Sequence, residues 1–198
     1  MDEFCTGWTV VIPVKPAAHG KSRLAGAPGD RAALARAIAL DTIDAARHAC
    51  AVVVVTADPG IASAARQLGA RVVDESAPAG LNAAIARGMD AAAPGHHAAM
   101  LGDLPALRPA DLTAALRSAQ GLERAVVADA EGTGSTLVTA REGVPWASAF
   151  GPDSYARHRA LGCVPLDAAP GLQRDVDTVE QLAAASALGL GPRTSALR

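Results

Sequence analysis

Several short stretches of this 198-residue chain carry residue types that could do chemistry together. The first is Lys15-Pro16-Ala17-Ala18-His19-Gly20-Lys21-Ser22-Arg23, three fixed positive charges within nine residues, with Gly20 allowing close backbone approach. Such a loop suits a polyphosphate. Lys15 and Lys21 are the only lysines, beside 16 arginines. In a chain so biased towards Arg, a retained Lys marks a place where a compact ammonium is needed and a planar guanidinium will not serve. Gly20-Lys21-Ser22 looks like the end of a Walker A loop, but that motif wants Gly where Lys15 stands. The next helix also opens near Asp30 and not at Lys21, so a P-loop is set aside.

The carboxylates form a second group. Asp103, in Leu101-Gly102-Asp103-Leu104-Pro105, is delivered by an apolar strand into a Gly/Pro turn, a suitable place for a magnesium ligand. A turn-forming Asp is the plain alternative. Asp175 and Asp177, in Arg174-Asp175-Val176-Asp177-Thr178, stand two apart, so in extended backbone they point the same way and can grip one cation with Asp103. Here the alternative is a helix cap, because Asp177 precedes a predicted helix.

Three further turns can hold anions or read a base. Glu131-Gly132-Thr133-Gly134-Ser135-Thr136 offers backbone N–H groups and hydroxyls. Phe150-Gly151-Pro152-Asp153-Ser154 is an N–H-rich corner at a helix start. Gly80-Leu81-Asn82 opens a helix with a carboxamide suited to a base edge. Against these, the pair His96-His97 lacks a carboxylate at zinc-protease spacing and reads as a surface loop. There is no GxSxG elbow. Two lysines, an arginine, three carboxylates and anion-holding turns are the parts for magnesium-assisted phosphoryl or nucleotidyl transfer, where positioning and charge neutralisation do most of the catalysis.

These groups need a scaffold, and the hydrophobic pattern supplies one. Strands are predicted at 8–14, 51–56, 71–74, 98–101, 125–128, 136–139 and 164–166. Helices are predicted at 31–49, from the turn Asp58-Pro59-Gly60 through Leu68, at 81–93, from Pro109, at 153–161 and at 178–188. Strand and helix alternate through the first 120 residues, the pattern of a parallel sheet covered by helices. The β-β succession near 125–140 implies a late antiparallel strand or hairpin. The expected fold is α/β, a single doubly wound, mostly parallel sheet over residues 1–188, with 189–198 as a flexible tail. In such a sheet ligands bind outside the carboxyl ends of the strands, where Lys15 and Asp103 fall.

Composition excludes other classes. Half the chain is hydrophobic, with 48 alanines and five aromatics, so the core is built from Ala, Val, Leu and Ile. The formal charge of −2 lacks the basic field of a nucleic-acid binder. No apolar run reaches the ~18 residues of a membrane span. Met1-Asp2-Glu3 does not open like a secretory signal, and three cysteines without CxxC spacing read as free thiols. A cytoplasmic protein that binds neither nucleic acid nor membrane is expected.

Taken in order over residues 8 to about 188, the motifs Ile12-Pro13-Val14-Lys15, Gly20-Lys21-Ser22-Arg23-Leu24, Gly80-Leu81-Asn82-Ala83-Ala84, Leu101-Gly102-Asp103-Leu104-Pro105, Gly132-Thr133-Gly134-Ser135-Thr136, Phe150-Gly151-Pro152-Asp153-Ser154 and Asp175-Val176-Asp177-Thr178 resemble the phosphoenolpyruvate / 2-phospho-L-lactate guanylyltransferases. These belong to the nucleotidyltransferases of GT-A-like fold and make the activated precursor of coenzyme F-420. The resemblance implies Asp103, Asp175 and Asp177 around Mg2+, and Thr136, Gly151 and Ser154 around the three-carbon phosphate. It implies Lys15, Gly20, Lys21, Ser22, Arg23, Gly80 and Asn82 around GTP, with Lys15, Lys21, Arg23 and Asp103 catalytic. Phosphoenolpyruvate or 2-phospho-L-lactate would be the acceptor, and a downstream transferase would receive the labile product. A monomer or a homodimer is expected. Ser135 stands where the family commonly has Thr, and His19-Gly20 where a small residue usually precedes the lysine. The alternatives are another magnesium-dependent nucleotidyltransferase, of molybdenum-cofactor or sugar-phosphate type, or a non-catalytic nucleotide-binding module.

Overall fold

The computed structural model describes residues 4–15, 30–75 and 80–197. The elements are β1 (Trp8–Pro13), α1 (Arg31–Ala49), β2 (Ala51–Thr56), α2 (Pro59–Gln67), β3 (Arg71–Asp74), α3 (Leu81–Asp90), β4 (His96–Met100), α4 (Pro109–Ala119), β5 (Arg124–Ala128), β6 (Ser135–Ala140), α5 (Ser154–Ala160), β7 (Val164–Pro165), α6 (Pro170–Gln173), α7 (Val179–Leu188) and α8 (Pro192–Ser195). The strands form one sheet in the order β3-β2-β1-β4-β6-β5-β7. Strands β1, β2, β3 and β4 run parallel, whereas β6 lies antiparallel between β4 and β5. The late antiparallel pair expected from the β-β succession is therefore β5–β6, with β6 inserted next to β4.

The four valines of β2 show why its pattern is continuous and not alternating. Val52 and Val54 pack with Ile12 and Ile43 on one face, while Val53 and Val55 pack with Val11 and Ala84 on the other. Both faces of the sheet are thus covered. Helix α3 lies close on its face: a Cβ at Gly88 would meet Val11 and stand 2.8 Å from Val55. Helix α1 starts where Asp30 accepts the Ala32 N–H at 2.8 Å. Helix α2 starts at Asp58, which accepts the N–H groups of Gly60 and Ile61.

Two expectations are corrected. His96 and His97 open β4 and are not in a loop; His96 stacks on Trp8 at 4.8 Å and accepts the Glu142 N–H. Nor are the last residues a loose tail in this structure. They carry α8, whose first turn is held by Asp41 of α1. One Asp41 carboxylate oxygen accepts the Arg193 backbone N–H at 3.1 Å and its guanidinium at 3.3 Å, and the other accepts the Thr194 N–H at 2.7 Å. Anchor and helix are 152 residues apart in sequence, so no local periodicity reveals the tie.

Candidate active site

A cavity of about 440 Å³ opens at the carboxyl ends of β1 and β4. β6 runs antiparallel, so its first residues reach the same edge, and the loops after β5 and β6 and before α7 close the far side. Pro13, Val14 and Lys15 form the β1 wall, and Leu101, Gly102 and Asp103 the β4 wall. Gly102 allows these two strand ends to approach, since a Cβ there would lie 3.2 Å from both Ile12 and the Pro13 carbonyl oxygen.

The three predicted carboxylates converge. One oxygen from each of Asp103, Asp175 and Asp177 lies within 4.8 Å of the others. A backbone bond joins the two segments, the Val176 N–H donating to the Asp103 carbonyl at 3.1 Å. Behind it, Thr42 of α1 accepts the Leu104 N–H at 3.0 Å. The cap of α7 is Thr178, which accepts the Gln181 N–H, so the capping alternative for Asp177 does not hold. Burial raises the Asp175 carboxyl to about 7, with the Asp103, Asp129 and Asp177 charges adding to it. Its Oδ1 is buried without a hydrogen-bond partner among the described residues. An orphaned carboxylate oxygen facing other carboxylates is an unfavourable arrangement unless a cation is shared, and an all-oxygen set suits a hard divalent ion.

The corner expected to hold the acceptor differs in one respect from the expected residue set. Gly151, with φ 126°, Ser154 and Ser135 line the cavity, whereas Thr136 is fully buried and not among the lining residues, and its hydroxyl has no partner among the described residues. Asp129, which the motifs do not single out, also lines the cavity. It holds the Gly-Thr-Gly turn by accepting the Thr133 and Gly134 N–H groups at 2.9 and 2.7 Å. Its only trace in the sequence is a lone Asp at a strand end before that turn. Arg36, on the β1 side, is another residue that sequence reasoning misses; Asp58 holds it through Nε and Nη2 at 3.3 and 3.2 Å.

Among the residues expected around the nucleotide, Lys15 stands on the wall, while Gly20, Lys21, Ser22 and Arg23 lie outside the described residues, as does His19. Gly80 has φ 95° and caps α3. Asn82 clamps the 148–150 segment: its Oδ1 accepts the Phe150 N–H and the Ser148 hydroxyl, and its Nδ2 donates to the Phe150 carbonyl at 2.9 Å. The carboxamide expected to face a base is thus engaged by the 148–150 loop.

This arrangement, Lys15 and three carboxylates lining one cavity, can now be set beside known proteins. Residues 8–159 match the family described as Guanylyl transferase CofC like. The chain belongs to this family. A phosphoenolpyruvate guanylyltransferase from Thermomonospora curvata is 49% identical, over 96% of this chain and 88% of that one. Among solved structures, a nucleotidyl transferase from Methanothermobacter thermautotroptrophicus superposes with a TM-score of 0.65 at 18% identity, covering 92% of this chain and 98% of that one. Rv0371C of Mycobacterium tuberculosis H37Rv, solved in complex with manganese, gives 0.53 at 24% identity, covering 91% and 97%. These two share the fold. As a CofC-like guanylyltransferase the chain is an enzyme of the nucleotidyltransferase class. None of its described helices is long and apolar enough to cross a membrane.

Proposed function

We propose that this CofC-like enzyme transfers the GMP moiety of GTP to phosphoenolpyruvate, releasing pyrophosphate and giving the activated precursor of coenzyme F-420. The observation that carries the reading is one cavity in which Asp103, Asp175 and Asp177 converge opposite Lys15, beside the corner of Ser135, Gly151 and Ser154. It accords with the name of the Thermomonospora relative. A phosphate oxygen of the acceptor attacks the α-phosphorus of GTP in line. The new P–O bond forms as the bond to the bridging oxygen of the β-phosphate breaks, and the electron pair leaves with pyrophosphate. The nucleophile is already anionic near neutral pH, so no general base is required.

Lys15, with Lys21 and Arg23 further along the sequence, neutralises the phosphates. Ser135, Gly151 and Ser154 hold the acceptor through hydroxyl and backbone N–H groups. Asp103, Asp175 and Asp177 are the residues that would hold Mg2+, which when bound supplies charge neutralisation at the transferring and leaving phosphates. The labile product is passed to a downstream transferase.

Pyrophosphate release from GTP and Mg2+ tests this, with phosphoenolpyruvate, 2-phospho-L-lactate, 3-phosphoglycerate or no acceptor, and with ATP as the nucleotide control. A capturing downstream transferase is included. Release dependent on phosphoenolpyruvate and abolished by Asp103→Ala is expected. Release with another acceptor alone overturns the substrate, near-wild-type activity of the variant overturns the ligand assignment, and nucleotide binding without any release favours a binding module.

A further inference from the structure

His158 of α5 belongs to none of the motifs, yet it is fully buried between two walls of the acceptor pocket. Its Nε2 lies 2.9 Å from the Ala149 backbone nitrogen, and its Nδ1 lies 2.9 Å from Ser135 Oγ. A backbone N–H can only donate, so Nε2 must present its lone pair and carry no proton. The proton of the neutral ring is therefore on Nδ1 and donates to Ser135 Oγ. With that lone pair occupied, the Ser135 hydroxyl proton is directed to another acceptor, and Ser135 stands on the cavity wall. The ring thus spans from the first residue of β6 to the residue before Phe150-Gly151. Phe150 packs edge-on against the same imidazole, with ring centroids 4.9 Å apart.

We propose that His158 is a positioning residue for the three-carbon acceptor, fixing the spacing between Ser135 and the 149–151 corner and orienting the Ser135 hydroxyl as a donor into the pocket. This rests on the acceptor reading given above. Two half-replacements separate its bonds: His158→Asn keeps a donor near the Nδ1 position, and His158→Gln keeps an acceptor near Nε2. Initial rates of pyrophosphate release are measured against acceptor and against GTP for both variants and the wild type. A thermal melt establishes that each variant is folded.

Each variant should raise the acceptor KM about tenfold or more, the effect of one misplaced hydrogen bond. The GTP KM should stay within about twofold of wild type. An unchanged acceptor KM, or a parallel rise in both constants, overturns the proposal. If a variant fails to fold, ring-nitrogen NMR of the wild type decides instead. A protonated Nδ1 beside a bare Nε2, with both resonances moving when acceptor is added, is expected, and a protonated Nε2 refutes it. Failure of the wild type with phosphoenolpyruvate defeats the functional reading instead, and the comparison is then made with the phosphorylated acid that does support release.

Discussion

Lowering the pH through the range in which an ordinary histidine titrates should weaken this fold by an amount attributable to one ring. Burial holds His158 down to about 4 from 6.5, with the neighbouring Arg157 charge acting in the same direction and the Ser154 backbone opposing both in part. Between those values the unfolded chain binds a proton that the folded chain refuses, so stability rises with pH across the window. The contribution is complete above about pH 6.5, declines as pH falls, and reaches its floor near pH 4. At about 1.4 kcal/mol per unit, the 2.5-unit span amounts to about 3 kcal/mol. For a chain of this length that corresponds to about 6–12 °C in Tm.

Many carboxylates titrate over part of the same range, so the quantity to follow is a difference. Urea unfolding of wild type and His158→Gln at intervals from pH 4 to 7.5 gives two curves. Gln cannot be protonated, and the other groups largely cancel in the subtraction. The wild type should lead the variant by about 3 kcal/mol more at pH 7 than at pH 4. Parallel curves would show that the ring accepts a proton in place and would refute the burial argument.

Mg2+ or Mn2+ at about 100 times its Kd should stabilise the wild type by about 2.7 kcal/mol in thermal melts and leave Asp175→Asn unmoved. Because Asp175 is raised to about 7, a cation must displace its proton, so isothermal titration should show affinity falling as pH drops below 7, with proton release near neutrality. Asp41→Ala leaves the α8 N–H groups and Arg193 without this acceptor and should cost about 2–3 kcal/mol in urea unfolding; a neutral result would mean that residues 189–197 contribute nothing. Thr42→Val removes the acceptor of the buried Leu104 N–H and should cost about 1–3 kcal/mol while weakening metal binding more than acceptor binding. Gly88→Ala, favourable on an isolated helix, should destabilise by about 1–3 kcal/mol, because the added methyl meets Val11 and Val55.

The parallel half of the fold is legible because its signals are local. The valine run of β2, the Asp30 cap and the Gly/Pro turn after β4 each state their own conformation, and the strand-end rule then places Lys15 and Asp103 at one edge. Asp175 and Asp177 are legible as a pair from their spacing, although what joins them to Asp103 is a backbone bond no pattern displays. The side proposed to hold the acceptor is harder for a specific reason. The β5–β6 register shifts between Val127 and Ala128, so that Ser135 pairs with Ala128 while Leu137 pairs with Val127. An irregularity of this kind breaks the two-residue alternation by which inward and outward side chains are told apart, and it falls where Ser135 lines the cavity beside the buried Thr136 that the resemblance implied. The Asn82 clamp, the His158 bridge and the α8 anchor all join residues that no repeating pattern relates, the first across 68 positions and the last across 152.

The two halves of the site are held by different devices, and this bears on how it works. The carboxylates are fixed through main chain: Val176 donates to Asp103, and Thr42 grips Leu104 from the buried side of α1. The corner proposed to hold the acceptor is fixed through side chains, with Asn82 clamping 148–150 and His158 tying Ala149 to Ser135. Main-chain ties leave little room for adjustment, which suits carboxylates whose mutual repulsion must be withstood before a cation arrives. Side-chain clamps can be exchanged without moving a strand. On the proposed reading of the site, specificity among three-carbon phosphates can therefore change by substitution at the clamps, while the carboxylate trio stays in place.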